Sequence, residues 1–156
     1  MSTGGTKFAL EDFHSVRGEV DELFYKHWEE IALNKDKIRL NPDWSYYEAL
    51  HDANQLGVYT ARKEGTLIGY FVVVATPHPH YKDHTFARND ILFIDPDHRK
   101  GLLGYRFLKW VVAELTGVGI SVVLINTKNH KDFGALLERM KFTKAEQVYT
   151  KYVRGD

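Results

Sequence analysis

Cysteine is absent from this chain of 156 residues. That excludes disulfides, thiolate nucleophiles and zinc–sulfur sites, and it suits a cytoplasmic protein. A surplus of one charge is also missing: Lys plus Arg number 21, Asp plus Glu number 21, and the formal net charge is zero. A general nucleic-acid binder carries a basic excess, so nucleic acid is not an expected partner. Long apolar runs are lacking too. The longest, Tyr70 to Ala75, is far too short to cross a bilayer, and Met1 to Thr6 is small and polar, with no signal-peptide core. No membrane partner is expected. Internal repeats and low-complexity tracts are not found.

What is present is apolar material in quantity, 44% of residues with 13% aromatic, enough for a real core. The length fits a single domain over 1–156, with residues 1–18 either poorly ordered or forming a first strand. Val20 to Leu33 places Val20, Leu23, Phe24, His27, Trp28 and Ile31 at helical spacing opposite a charged face. A second helix is expected from Asn41 as N-cap and Pro42 as first residue, with Tyr46, Ala49, Leu50 and Ala53 in one stripe. Leu56 to Arg62 and Thr66 to Ala75 read as a hairpin around Glu64-Gly65, the second strand buried on both faces. Thr76 to His84 holds two prolines and reads as a loop, and Thr85 to Asp95 reads as a strand stopped by Pro96. Leu102 to Leu115 is the strongest helix, ended by Gly117 and Gly119. Ile120 to Asn126 reads as a buried strand, Phe133 to Met140 as a short helix, and Thr143 to Val153 as one or two closing strands. Thr85–Asn126 is therefore a βαβ unit with parallel strands.

The chemistry concentrates where the first strand of that unit gives way to its helix. Unpartnered N–H groups and the helix dipole make an anion site there. Gly101 and Gly104 leave room for a phosphate, and Arg99 and Lys100 add positive charge. Neither a P-loop nor a dinucleotide fingerprint fits the spacing.

The stretch Ile94-Asp95-Pro96 followed by Arg99-Lys100-Gly101-Leu102-Leu103-Gly104 resembles the signature of the GNAT acetyltransferases. In that family a strand ends in Val/Ile-x-Pro and Arg/Gln-x-x-Gly-x-Gly/Ala opens a long helix. Leu102 stands where the family usually has its middle glycine, and Gly101 precedes it. Thr66-Leu-Ile-Gly-Tyr70 and Leu137-Glu-Arg-Met-Lys-Phe142 are similar to two further family segments, so the resemblance covers roughly residues 56–153. Within the family the chain resembles divergent, phage-type members.

The resemblance implies a mixed α/β fold. Its sheet is mostly antiparallel with one parallel, splayed strand pair, and helices cover both faces. It also implies acetyl-CoA as cofactor and an amine acceptor, whether a small molecule, a peptide or a protein lysine. Carried onto this chain, Phe93 and Ile94 would offer backbone to pantetheine. Arg99, Lys100, Gly101, Leu102, Leu103, Gly104 and Tyr105 would cradle the pyrophosphate, and Asn126 would line the opposite wall. Asp90, the only carboxylate inside the strand, takes the base position; its alternative reading is a solvated Asp at a bulge or a partner of Arg88. The family's usual acidic Tyr falls on Leu137, and its cofactor-contacting Asn falls on His130. His130 could hold cofactor or move a proton, or could be a surface histidine. Tyr149 and Tyr152 are reserves. The alternative function is a CoA-binding or regulatory module without catalysis, and a more remote one is acyl transfer to a nucleobase. Dimers are frequent in the family, so a homodimer is a candidate state. His78, His80 and His84 read as a polar loop near the acceptor entrance rather than a metal site, and no metal is expected. Trp28 reads as packing, and so do Trp44, Tyr46 and Tyr47, with a place beside the acceptor as the second reading for these last three.

Overall fold

The computed structural model describes Ser2, Thr3 and residues 5–154. Six strands lie in sequence order across one sheet: β1 (Ser2–Thr3), β2 (Thr6–Glu11), β3 (Leu56–Lys63), β4 (Thr66–His78), β5 (Tyr81–Ile94) and β6 (Val122–Leu124). Every neighbouring pair is antiparallel except β5 and β6, which are parallel. The helices are α1 (Phe13–Ile31), α2 (Trp44–Asp52), α3 (Leu103–Gly117) and α4 (Gly134–Arg139). The mixed sheet with a single parallel pair agrees with expectation, as does the doubly buried β4.

Two apolar clusters fix the layers. On one face Leu103, Phe107, Val111 and Leu115 of α3 and Leu137 of α4 pack on Phe8, Tyr59, Phe71, Val73 and Ala87. On the other, Phe13, Val16 and Val20 of α1 pack on Val58, Leu67, Tyr70, Val72 and Phe93, with Trp44 and Tyr47 of α2 at the margin. Leu67 and Tyr70 share a face although three residues apart. The register shift between Ala61 and Arg62 leaves Ile68 as an extra residue, which restores the pleat. Arg62 ties this end of the sheet to α1, donating to Glu11 at 2.8 Å and to Glu19 at 2.7 Å.

Several boundaries differ from the sequence reading. Helix α1 begins at Phe13, not Val20, because Asp12 accepts from the Ser15 N–H at 3.1 Å and caps it there. Helix α2 is capped by Asp43 rather than Asn41, through the Tyr46 N–H. The segment 76–84 is not a loop: β4 runs to His78 and β5 starts at Tyr81, leaving Pro79-His80 as a tight turn. Pro77 is tolerated for a geometric reason. The Ala75 N–H bonds toward β3, at Gln55, so the missing N–H of Pro77 faces the same side, beyond the end of β3. The closing strands are not formed. Residues 143–153 pair with no strand, and Val148, Tyr149 and Val153 are exposed. Strand β6 has three residues rather than the seven expected between Ile120 and Asn126.

Candidate functional site: a gap between two parallel strands

The parallel ladder is short. It joins Phe86, Ala87 and Arg88 to Val122, Val123 and Leu124, and then the strands part. The cause lies on β5. Asn89 faces Val73 and Ile91 faces Val72, so Asp90 is an extra, bulged residue that bends the strand. Past this point a side chain replaces the ladder. Asn89 accepts from the Asn126 N–H at 2.8 Å and donates to the Asn126 carbonyl at 3.4 Å. The gap therefore opens with Asn126 on one wall and the end of β5 on the other. The Asp95 N–H donates to Ile68 at 2.7 Å, toward β4. Backbone groups alternate along a strand, so those of Phe93 also face β4, while those of Leu92 and Ile94 face the gap. Phe93 instead gives its side chain to the core beneath.

A single 3-10 turn, Pro96–His98, follows β5 and delivers the chain to α3. Asp95 accepts from the Asp97 N–H at 3.1 Å and from Lys26 at 2.9 Å. Burial pulls the Asp95 carboxyl upward, but Lys26 and the Asp97 N–H outweigh it and hold it below the usual range. Arg99 does not point into open space: it donates to the Ile94 carbonyl at 2.6 Å and grips Glu30 of α1 through two bonds of 2.7 Å. This bidentate pair lowers the Glu30 carboxyl's pKa and fixes the turn to α1. Gly101 has φ +73°, which a side chain would strain, and beyond its two chain neighbours nothing described lies within 4 Å of where its Cβ would be. The glycine thus stands where the backbone needs it, and Leu102, with φ −102°, can be any residue. No side chain caps α3, so the N–H groups of its first turn, from Leu102 through Leu103, Gly104 and Tyr105, are presented beside the gap. A Cβ at Gly104 would touch Ile94 at 3.7 Å, so that side of the turn lies against the strand end. Lys100 is exposed.

Asp90 has a partner the sequence did not suggest. The Tyr47 hydroxyl donates to it at 2.6 Å, from α2 across a 43-residue separation. Burial, then the Asp90 carboxylate, hold the Tyr47 phenol well above the usual tyrosine range. Beside this pair lies a crevice between α1, α2 and the sheet, lined by Phe13, Val20, Trp44, Tyr47, Val72 and Ile91. Beneath the strand end His27 is buried, stacks on Phe93 at 4.8 Å, and lies 3.0 Å from the Tyr70 hydroxyl. Burial lowers the His27 pKa to about 4.

The structure does not bring every expected residue to the gap. Tyr149 is 89% exposed and, among the described residues, its hydroxyl bonds to nearby Gln147, because no closing strand forms to carry it inward. His130 is exposed in the turn that a Lys128–Lys131 bridge closes. Leu137 is buried in the α3 cluster, as an apolar residue on the inner face of α4 must be. Of the histidines in 78–84, His78 accepts from the His80 N–H and packs on Phe86, while His84 pairs with Ser121. Sequence reasoning missed Asn89 and Glu30, and it gave Tyr47 a place beside the acceptor but not its bond to Asp90; all three act through contacts distant in sequence. An Asn directly before the strand's carboxylate was the one local signal.

The mixed sheet, with its parallel pair opening beside an uncapped helix start, is a fold that solved acetyltransferase structures share. The chain belongs to the acetyltransferase (GNAT) family, whose model matches residues 18–142. No curated protein sequence matches it significantly. Solved structures are similar across nearly the whole chain. An aminoglycoside acetyltransferase from an uncultured soil metagenomic sample, in complex with trehalose, has TM-score 0.71 and 16% identity, over 96% of this chain and 95% of that one. A ribosomal-protein-alanine N-acetyltransferase from Brucella melitensis biovar Abortus 2308 has TM-score 0.65 and 17% identity, over 97% and 99%. A predicted acetyltransferase from Clostridium acetobutylicum, with acetyl-CoA, has TM-score 0.69 and 13% identity, over 94% and 96%. Among the described residues no helix is long and apolar enough to cross a membrane.

Proposed function

We propose that the protein transfers an acetyl group from acetyl-CoA to an amine by direct attack in a ternary complex. The observation that carries this reading is the placement of Asp90, at the bulge, beside a gap that leads to the uncapped start of α3. The donor set fits the cofactor. Free N–H groups and the side-chain-free positions Gly101 and Gly104 suit a pyrophosphate, with Lys100 adding charge. Bound there, acetyl-CoA supplies an activated thioester. Ile94, through its free N–H, and Leu92 are the backbone that a pantetheine arm would meet, and Asn126 is the opposite wall. Arg99 acts by positioning, since its guanidinium is held by Glu30 and Ile94.

Asp90 is the group that takes the amine's proton, and Tyr47 orients it. Tyr149 and His130 have no part in this scheme, and a CoA thiolate leaves without a side-chain acid at position 137. The acceptor is an amine approaching from the α1–α2 side. Structural neighbours acting on an aminoglycoside and on a ribosomal-protein alanine show how widely acceptors vary on this fold.

Release of free CoA thiol from acetyl-CoA across a panel of small amines, peptides and lysine-bearing proteins tests the proposal. Turnover should fall about a hundredfold or more in Asp90→Asn, with cofactor binding retained. Cofactor binding without turnover on any acceptor would favour the non-catalytic module instead.

A further inference from the structure

Histidines far apart in sequence meet where α1 begins and α2 ends. His14 is the second residue of α1, and His51 and Asp52 are the last two of α2. The helices are brought together by Phe13, whose ring lies 6.3 Å from Trp44 and from Tyr47 and 6.0 Å from His51. The imidazoles of His14 and His51 then stand edge to face with centroids 5.1 Å apart. One ligating atom from each of His14, His51 and Asp52 lies within 4.8 Å of the others.

We propose that His14, His51 and Asp52 form a binding site for a zinc-class divalent ion. Two imidazoles and a carboxylate are a donor set for zinc and its first-row neighbours, not for calcium or magnesium, which take oxygen ligands. A tetrahedral site with bonds of about 2.0–2.1 Å holds its ligand atoms about 3.3 Å apart. Exposed His14 and Asp52 can rotate through the remaining distance, while half-buried His51 is held against Phe13. Asp12 stands beside the site: one of its oxygens caps α1 through Ser15, and the other lies 3.6 Å from His51 Nε2, a short closure away from holding the ring of a ligating histidine. Solvent completes the coordination. The ion also has a structural consequence. Tyr47 precedes His51 by one helical turn and holds Asp90, so a metal clamp at the end of α2 restrains the helix beside the bulge.

Calorimetric titration of untagged, chelator-treated protein with zinc chloride tests the site, with no acceptor or acetyl-CoA present. The expected result is one zinc per chain, bound at least tenfold more weakly by His14→Ala and by His51→Ala, and bound normally by the double variant His78→Ala/His80→Ala. A zinc-dependent rise in Tm should appear in the wild type and vanish in His14→Ala, a change at an exposed residue outside both apolar clusters. Absence of zinc binding, or binding that survives His14→Ala and His51→Ala but is lost with the 78/80 pair, overturns the proposal.

Discussion

His27 makes the stability of this protein depend on pH in a defined window. It is 4% exposed, packed on Phe93 and close to the Tyr70 hydroxyl. Burial is the main cause of its lowered pKa, about 4 against an ordinary 6.5; Glu30 opposes the shift, and Arg99 and Lys128 reinforce it. The folded state therefore resists a proton that the unfolded chain accepts. The neutral ring's contribution is complete above the unfolded pKa and is lost as pH falls from there toward the folded value. Linkage over that interval gives a loss of about 2 kcal/mol by pH 5 and about 3 kcal/mol by pH 4. The lowered carboxylates Glu11, Glu19, Glu30 and Asp95 lose their contributions only as pH falls below the unfolded carboxylate range, so the upper part of the window belongs to His27. Denaturant unfolding at pH 7.5, 6.5 and 5, for the wild type and for His27→Gln, measures it. The wild type should lose about 2 kcal/mol more than the variant between pH 7.5 and 5. Equal slopes for the two proteins would refute the reasoning. So would a titration of the His27 ring, assigned by NMR, near the ordinary histidine value.

Asn89→Ala should cost about 0.5–1.5 kcal/mol in denaturant unfolding and should raise the KM for acetyl-CoA, because the Asn126 strand end loses its tether. Asn89→Asp should keep part of the effect through the bond it can still accept. Phe107 is fully buried and packs on Phe8 at 5.2 Å, so Phe107→Ala should cost about 3–5 kcal/mol in the same assay.

The parts of the fold carried by local pattern were legible in the sequence. The hairpin around Glu64-Gly65, the long helix after Gly101 and the parallel βαβ unit each rest on turn residues and periodicity within a few tens of residues. Misreadings came where a local rule met tertiary context. Two prolines suggested a loop, yet Pro77 sits where β4 has outrun its neighbour and needs no donor. Val148, Tyr149 and Val153 carry strand propensity, but among the described residues no strand edge takes them up. The site divided similarly. The glycine-bearing turn could be located from its residues, and the structure shows why Gly101 rather than Leu102 is the glycine. Tyr47 on Asp90, Glu30 on Arg99 and His14 beside His51 join positions dozens of residues apart, and nothing in single-sequence periodicity encodes such pairs.

Calorimetric titration of the wild type and of Gly104→Glu with acetyl-CoA and CoA tests the central claim most directly. The glutamate would place a negative side chain at the start of α3, against Ile94, where the pyrophosphate should lie. Binding of both ligands by the wild type, lost in the variant while its thermal unfolding stays cooperative, is the predicted result. A wild type that binds neither, or a variant that binds both as tightly, would contradict the assignment of the α3 turn as the cofactor cradle.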